Sequence, residues 1–397
     1  MSDRFKLSIV EMGSGYAALV YDLDKKKIVN ALTDYADALI SHLRLKRLSV
    51  QQEIGYLRVF WSFLASIDME IEEVSDETIE GFRAYSLQKV LTSRSRRDGR
   101  PDAPSATVNA KLVRIYDWLM WLQEVGRIPV NTIGYRNAAV RSALRGSSLS
   151  REARGNKELR AVDKYPLLLT DRARNTKHHI PKFIPSEETV DALHVHFMNG
   201  SQSMHLRHRN ALIVDVAAYT GFRRNSIQSL RVNQFIGSEF TVTDRDTVII
   251  RPSRQKFDYG DTFEIPALLH HNVCHFIQTY RREFIQAKGV DQRVSEGAVF
   301  ISERTCKPLD DRSITSLISK ALRACGAPKG TAIHSFRAKF LVEAMADEYV
   351  DRRQLGLDTS EDAVTQSVAR KAGQKNPKSL RPYVAGAADV PPDLSSS

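Results

Sequence analysis

Three cysteines in 397 residues, Cys274, Cys306 and Cys325, are too few and too scattered for a disulfide framework. Their spacing fits no zinc-ligand pattern, so no metal site is expected and a reducing compartment is. Long apolar runs are also missing. None approaches the roughly 18 residues that span a bilayer, and the start, MSDRFKLSIVEMG, lacks the apolar segment of a secretory signal. A cytoplasmic, nucleoid-associated protein with no membrane contact is the expectation. Low-complexity repeats are absent too. Acidic residues are the minority sign, with 47 Asp and Glu against 58 Lys and Arg, a net charge of +11. Such a surplus suits a polyanionic partner, nucleic acid first.

What is present divides the chain. At roughly 100–200 residues per domain, two or three domains fit the length. Two strand-like runs, Phe5–Glu11 and Tyr16–Asp22, flank Gly13 and Gly15 and predict a small hairpin in an arm over 1–30. Helical periodicity follows. Ser49 and Gln52 have capping-box spacing and predict a helix start, with Ile54, Leu57, Trp61 and Leu64 on its apolar side. A second helix is predicted from Ser105, lined by Val108, Leu112, Ile115, Leu119 and Leu122 and stopped by Gly126. These stripes read as core, giving a helical domain over 31–134.

Two basic stretches interrupt this pattern. One is the loop with Arg94, Arg96, Arg97 and Arg100; the other is a weakly periodic tract over 135–182 that includes Arg141 and Arg145. The second reads as a linker, and these arginines are candidate contacts to a DNA backbone. A further domain is expected over 183–385, mostly helical with a small sheet. Ser186 is its first N-cap, with Glu187 and Glu188 suited to a helix N-terminus. A helix covers about 208–219, strands cover Thr247–Arg251 and Thr262–Pro266 around the turn Tyr259-Gly260-Asp261, and helices return from about 270. The segment VAGAADVPPDLSSS reads as a flexible tail, placed at 386–397.

Four short segments carry chemistry-bearing residues. In Thr220-Gly221-Phe222-Arg223 a glycine ends one helix and an arginine opens the next. Lys256 stands where the first strand of the pair enters its turn. In Ile333-His334-Ser335-Phe336-Arg337 the His and Arg, three apart at a helix start, share a face suited to an anion. Gly373-Gln374 precedes Tyr383 by nine residues. Each alone is weak, since exposed lysines, surface arginines and terminal tyrosines are common.

In order, however, Arg223, Lys256, His334-x-x-Arg337, Gly373-Gln374 and Tyr383 resemble the catalytic signature of the tyrosine recombinase, or phage integrase, family. The resemblance covers about residues 30–385. It implies a mainly α fold with a small β-sheet: an N-terminal helical, SAM-like core-binding domain and a C-terminal mixed α/β catalytic domain. It implies cleavage and rejoining of double-stranded DNA with no metal or nucleotide cofactor. Tyr383 would be the nucleophile, Arg223 and Arg337 the phosphate clamp, His334 a proton-handling group, Lys256 the acid for the leaving oxygen, and Gln374 a phosphate donor. A tetramer on paired DNA sites, sometimes with accessory DNA-bending proteins, is implied as the working assembly, with integration or excision of a mobile element as its role. Two positions depart from the pattern: the family usually has His or Trp at Gln374, and Glu or Asp at Ser226. A type IB topoisomerase-like enzyme and a DNA-binding relative without catalysis are the alternative readings.

Overall fold

The structure, a computed structural model, describes residues 4–13, 15–95, 104–169, 183–200, 202–236, 246–255 and 260–388. The chain divides into two compact units, up to Asn175 and from Thr176.

The first unit opens with the hairpin β1 (Phe5–Met12) and β2 (Gly15–Asp22), paired in register from Phe5↔Asp22 to Met12↔Gly15, with β3 (Lys27–Ile28) added to β2. Four helices follow: α1 (Asn30–Ser41), α2 (Arg47–Ser66), α3 (Asp76–Ser95) and α4 (Pro104–Glu124). The hairpin is not a detached arm. A sheet with one apolar face must bury it, and Phe5, Ala18 and Val20 enter the same core as Ile54, Leu57 and Leu64 of α2 and the whole expected stripe of α4. The backbone N–H of Val20 donates to Thr33 Oγ1 at 3.1 Å, which ties β2 to α1. Helix α2 begins two residues before the expected Ser49, because Lys46 O accepts the N–H groups of Ser49 and Val50. Gln52 instead donates to the Tyr56 hydroxyl at 2.9 Å, so the expected capping box is absent.

The tract expected as a linker is folded over 135–169. A parallel pair, β4 (Ile133–Gly134) and β5 (Val140–Arg141), leads to a 3₁₀ turn at Arg151–Glu158 and the short α5 (Ala161–Lys164). Two carboxylates on α4 pin it down. Asp117 accepts from the Ser148 N–H at 2.7 Å and its hydroxyl at 2.6 Å, and Glu124 accepts the same pair from Ser147 at 2.8 and 2.6 Å. Asn109 clasps the backbone of Leu169 from both sides at 2.8 Å. Polar clasps of this kind leave no apolar periodicity, which is why the tract reads as a connector.

The second unit contains α6 (Glu187–Met198), α7 (Met204–Thr220), α8 (Arg224–Gln228), the antiparallel pair β6 (Thr247–Ile250) and β7 (Phe263–Pro266), α9 (Ala267–Phe276), a π-helical turn at Ile277–Arg281, and α10 (Arg282–Lys288). It continues with α11 (Asp311–Ala324), α12 (His334–Gln354), α13 (Glu361–Lys371) and α14 (Arg381–Ala388). Ser186 occupies the N-cap of α6, but its hydroxyl engages Thr189 Oγ1 at 3.3 Å and does not cap a backbone N–H. Helix α7 is buried nearly all round, and α12 packs on it and on α13 and α14. The expected tail is corrected at its start. Pro382 sits in the first turn of α14, where a missing N–H costs nothing, and the alanines that follow favour helix, so residues 384–388 are helical. The rest of the tail lies outside the described residues.

Candidate active site

The site is built around a glycine turn. Gly221 caps α7 with φ of 59°, a left-handed conformation that glycine adopts without strain. A Cβ at this position would collide with the ring of Phe340 on α12. The close approach lets Gly221 O accept a hydrogen bond from Arg337 Nη1 at 2.6 Å. Arg223 then occupies the N-cap of α8 in extended backbone, half-buried.

Helix α12 starts at His334, so Arg337 lies in its first turn, only 6% exposed. Its other Nη atom donates to Ala372 O at 3.0 Å and to Gln374 Oε1 at 2.9 Å. All three acceptors are neutral, and among the described residues no carboxylate forms an ion pair with it. Burial, then the charge of Arg223, lowers its pKa to about 10, so it stays charged at neutral pH. A buried cation without a counter-charge is costly. It is the natural seat of an incoming anion. Desolvation, followed by the charges of Arg337, Arg223 and Arg224, lowers the pKa of His334 as well. That imidazole is neutral near pH 7.

A second glycine draws in the C-terminal segment. Gly373 ends α13 with φ of 57°, and a Cβ on it would lie 2.7 Å from the Phe263 ring on β7. Phe263 meets Phe222, beside Arg223, edge-on at 5.1 Å. Glycine, strand and arginine turn thus meet at one aromatic contact. Gln374 follows, its backbone N–H closing α13 on Ala369 O at 2.8 Å. A 3₁₀ turn, Pro377–Leu380, leads into α14, where Tyr383 is the third residue. Tyr383 is half-buried against a cluster that includes Leu341, Met345, Val368 and Leu380. It is close enough to Arg337 to act on it electrostatically.

The second unit therefore brings together Arg223, His334, Arg337, Gln374 and Tyr383. Lys256 lies outside the described residues, but both flanks of its loop are held. Arg254 N–H donates to Ser229 Oγ at 2.9 Å, and Gln255 Nε2 donates to Asp261 O at 2.6 Å. Ser229 in turn donates to Ser226 O at 2.9 Å, so the loop base is fastened to α8. Ser226 itself is buried and lines a cleft of about 550 Å³ with Arg223, Arg224, Thr315 and His334.

The basic candidates belong to the first unit. Arg141 is exposed and held by Asp76, which also accepts its backbone N–H at 3.0 Å. The Arg145 side chain lies over Gly155, and its N–H donates to Asn156 Oδ1 at 2.9 Å. Arg94 falls in the last turn of α3; Arg96, Arg97 and Arg100 lie outside the described residues.

Two features escaped the sequence reading. Arg224, which lines the cleft, pairs with Asp311 of α11 at 3.1 Å. Lys339, two residues after Arg337, is 2% exposed and held by Glu187 at 2.6 Å and by Glu343. The i, i+4 spacing of Lys339 and Glu343 within an apolar stripe was the available signal.

No family model and no curated protein matches the chain. Solved structures do. A XerH site-specific recombinase bound to palindromic difH substrate, in a post-cleavage complex, is 13% identical, with 86% of this chain and 77% of that chain covered and a TM-score of 0.52. The pre-cleavage XerH complex with difH is 12% identical over 93% of this chain and 87% of that one, with a TM-score of 0.50. A lambda integrase dimer (residues 75–356) bound to a COC′ core site is 12% identical over 93% of this chain and 99% of that one, also with a TM-score of 0.50. At these identities the likeness is one of fold: the chain has the fold of the tyrosine recombinases.

Proposed function

From that fold and the residues gathered around Arg337, we propose that the protein is a site-specific DNA recombinase that breaks and rejoins strands through Tyr383. The observation that carries this reading is the buried, uncompensated guanidinium of Arg337, bonded to the Gly221 turn and to Gln374 and within electrostatic reach of Tyr383. A scissile phosphate is the anion that completes it. Arg223 and Arg337 clamp the non-bridging oxygens, since guanidinium forks match phosphate oxygens and stay charged. Tyr383 Oη attacks phosphorus, the phosphorus–5′-oxygen bond breaks, and a 3′-phosphotyrosine forms. The tyrosine proton leaves to the neutral His334 or to water, and Lys256 gives a proton to the departing 5′-oxygen. The reverse attack by a 5′-hydroxyl rejoins a strand without ATP, because the covalent link retains the phosphodiester. Gln374 has a second amide N–H for the same phosphate. The exposed arginines of the first unit, Arg141 and Arg145 among them, contact the duplex backbone. A tetramer on paired sites exchanges strands in the integration or excision of a mobile element.

A nicked suicide duplex, from which the cut end diffuses away, tests the assignment. Wild type accumulates a denaturant-stable protein–DNA adduct, whereas Tyr383→Phe binds the duplex with near-normal affinity and forms none. Adduct formation by Tyr383→Phe would remove Tyr383 as the nucleophile.

A further inference from the structure

Gln374 engages its neighbours with both ends of its amide. Its Oε1 accepts from Arg337 Nη2 at 2.9 Å, and its Nε2 donates to Ser379 Oγ at 2.5 Å. Ser379 Oγ then donates to Asn376 O at 2.5 Å. The polarity runs one way, from a guanidinium through an amide and a hydroxyl to a backbone carbonyl. Such aligned chains polarise one another. The last link lies in the 3₁₀ turn Pro377–Leu380, which passes directly into the helix carrying Tyr383.

The turn packs on α13 and α14, and its other polar ties are weak or local. Leu380 is fully buried and anchors its end. Arg381 reaches Glu361 at 3.3 Å and Asp362 at 3.1 Å, but these are exposed pairs, which hold little and are screened by salt. Asn376 accepts from the Lys378 N–H at 3.1 Å, an interaction within the turn itself. Tyr383 and Val384 pack against the same apolar cluster, but apolar packing is non-directional and does not by itself fix the angle at which the helix presents its tyrosine. The chain through Gln374 adds a directional tie to this packing, and that tie ends on the phosphate-facing guanidinium.

We propose that Gln374 and Ser379 are positioning residues that couple Arg337 to the turn bearing Tyr383, setting the nucleophile's approach to whatever anion the arginine holds. Position 374 then needs one atom that accepts and another that donates. Glutamine provides both, whereas an indole only donates and would leave Arg337 short of an acceptor. The inference rests on Tyr383 being the nucleophile, and its test separates the two claims.

Single-turnover adduct formation is measured on the nicked duplex for wild type, Ser379→Ala, Ser379→Thr, Gln374→Leu and the double variant Gln374→Leu/Ser379→Ala, with Tyr383→Phe in parallel. Ser379 is exposed, so its variants fold. Ser379→Ala slows cleavage by about tenfold, the scale of one hydrogen bond, with unchanged DNA affinity. Ser379→Thr, which keeps the hydroxyl, restores the rate. The double variant is no slower than Gln374→Leu alone, because both break the same chain. Wild-type rates in Ser379→Ala, or losses that multiply in the double variant, overturn the coupling while leaving the nucleophile in place. An adduct in Tyr383→Phe overturns the nucleophile instead.

Discussion

Arg337 and Lys339 stand two residues apart on α12, and both are buried cations, yet the two sides of the helix treat charge oppositely. On one side Lys339 has Glu187 and Glu343 against it, and these carboxylates hold its pKa above the ordinary value despite burial. On the other side the partners of Arg337 among the described residues are two backbone carbonyls and one amide oxygen, and its pKa falls. A compensated charge fastens α12 to α6 and is complete within the protein. An uncompensated one is incomplete until an anion arrives. Burial alone does not separate the two cations; the charge of their partners does.

The sharpest way to break this comparison is to remove Arg337. Arg337→Ala is expected to slow single-turnover cleavage by roughly 10²–10³-fold, as loss of a preorganised transition-state donor does. It should melt within a few degrees of wild type, because it also removes a costly buried charge. Arg337→Lys keeps the charge but not the fork, and should recover little of the rate. A variant that cleaves normally but melts far lower would make Arg337 the structural member of the pair.

A third buried group sharpens the contrast by giving up its charge. His205 is 3% exposed and lies against Phe284 and Phe276, with ring centroids 4.3 and 5.4 Å away. Burial, then nearby Arg209, pushes its pKa down to about 3. The unfolded chain takes up this proton near pH 6.5, whereas the folded chain does not until about pH 3. Stability therefore falls as pH drops between those values, by up to about 1.4 kcal/mol per unit. Urea melts at pH 6.5 and 5 should show wild type losing about 2 kcal/mol more than His205→Phe. Parallel losses in the two proteins would mean that His205 is protonated in the fold.

The smallest effect belongs to Lys339. Its carboxylates are substantially exposed, 57% for Glu187 and 45% for Glu343, and can return to water when the lysine is gone. Lys339→Met should cost about 1–2 kcal/mol in urea melts and leave cleavage within about threefold of wild type. If it slows cleavage as much as Arg337→Ala, the division between the two sides of α12 fails.

The sequence discloses whatever repeats at a fixed interval or sits in a fixed order. Every residue of the α4 stripe, Val108 to Leu122, is fully buried. The glycine turn at 221 and the helix start at His334 lie where their motifs place them. Contacts between distant polar groups leave no such trace. Ser147 and Ser148 look like linker residues until Glu124 and Asp117 are seen to hold them. Ser49 imitates a cap from inside a helix that begins two residues earlier. Gln374 looks like a substituted phosphate donor, and its acceptor role towards Arg337 is visible only once α13 and α12 meet.

The bonds of Arg337 also govern when the site can form. They run to residues 116, 35 and 37 positions away along the chain. Until those segments have closed on one another, water is the better partner for the guanidinium, so its burial follows assembly of the surrounding core. Closing loops of that length carries an entropy cost that is met before the bonds can form. Interactions made after the folding barrier influence how fast a protein comes apart more than how fast it goes together. The native bonds of the arginine thus wait on those segments, and the guanidinium is not fully held until the end of α13, late in the unit, has docked on α12.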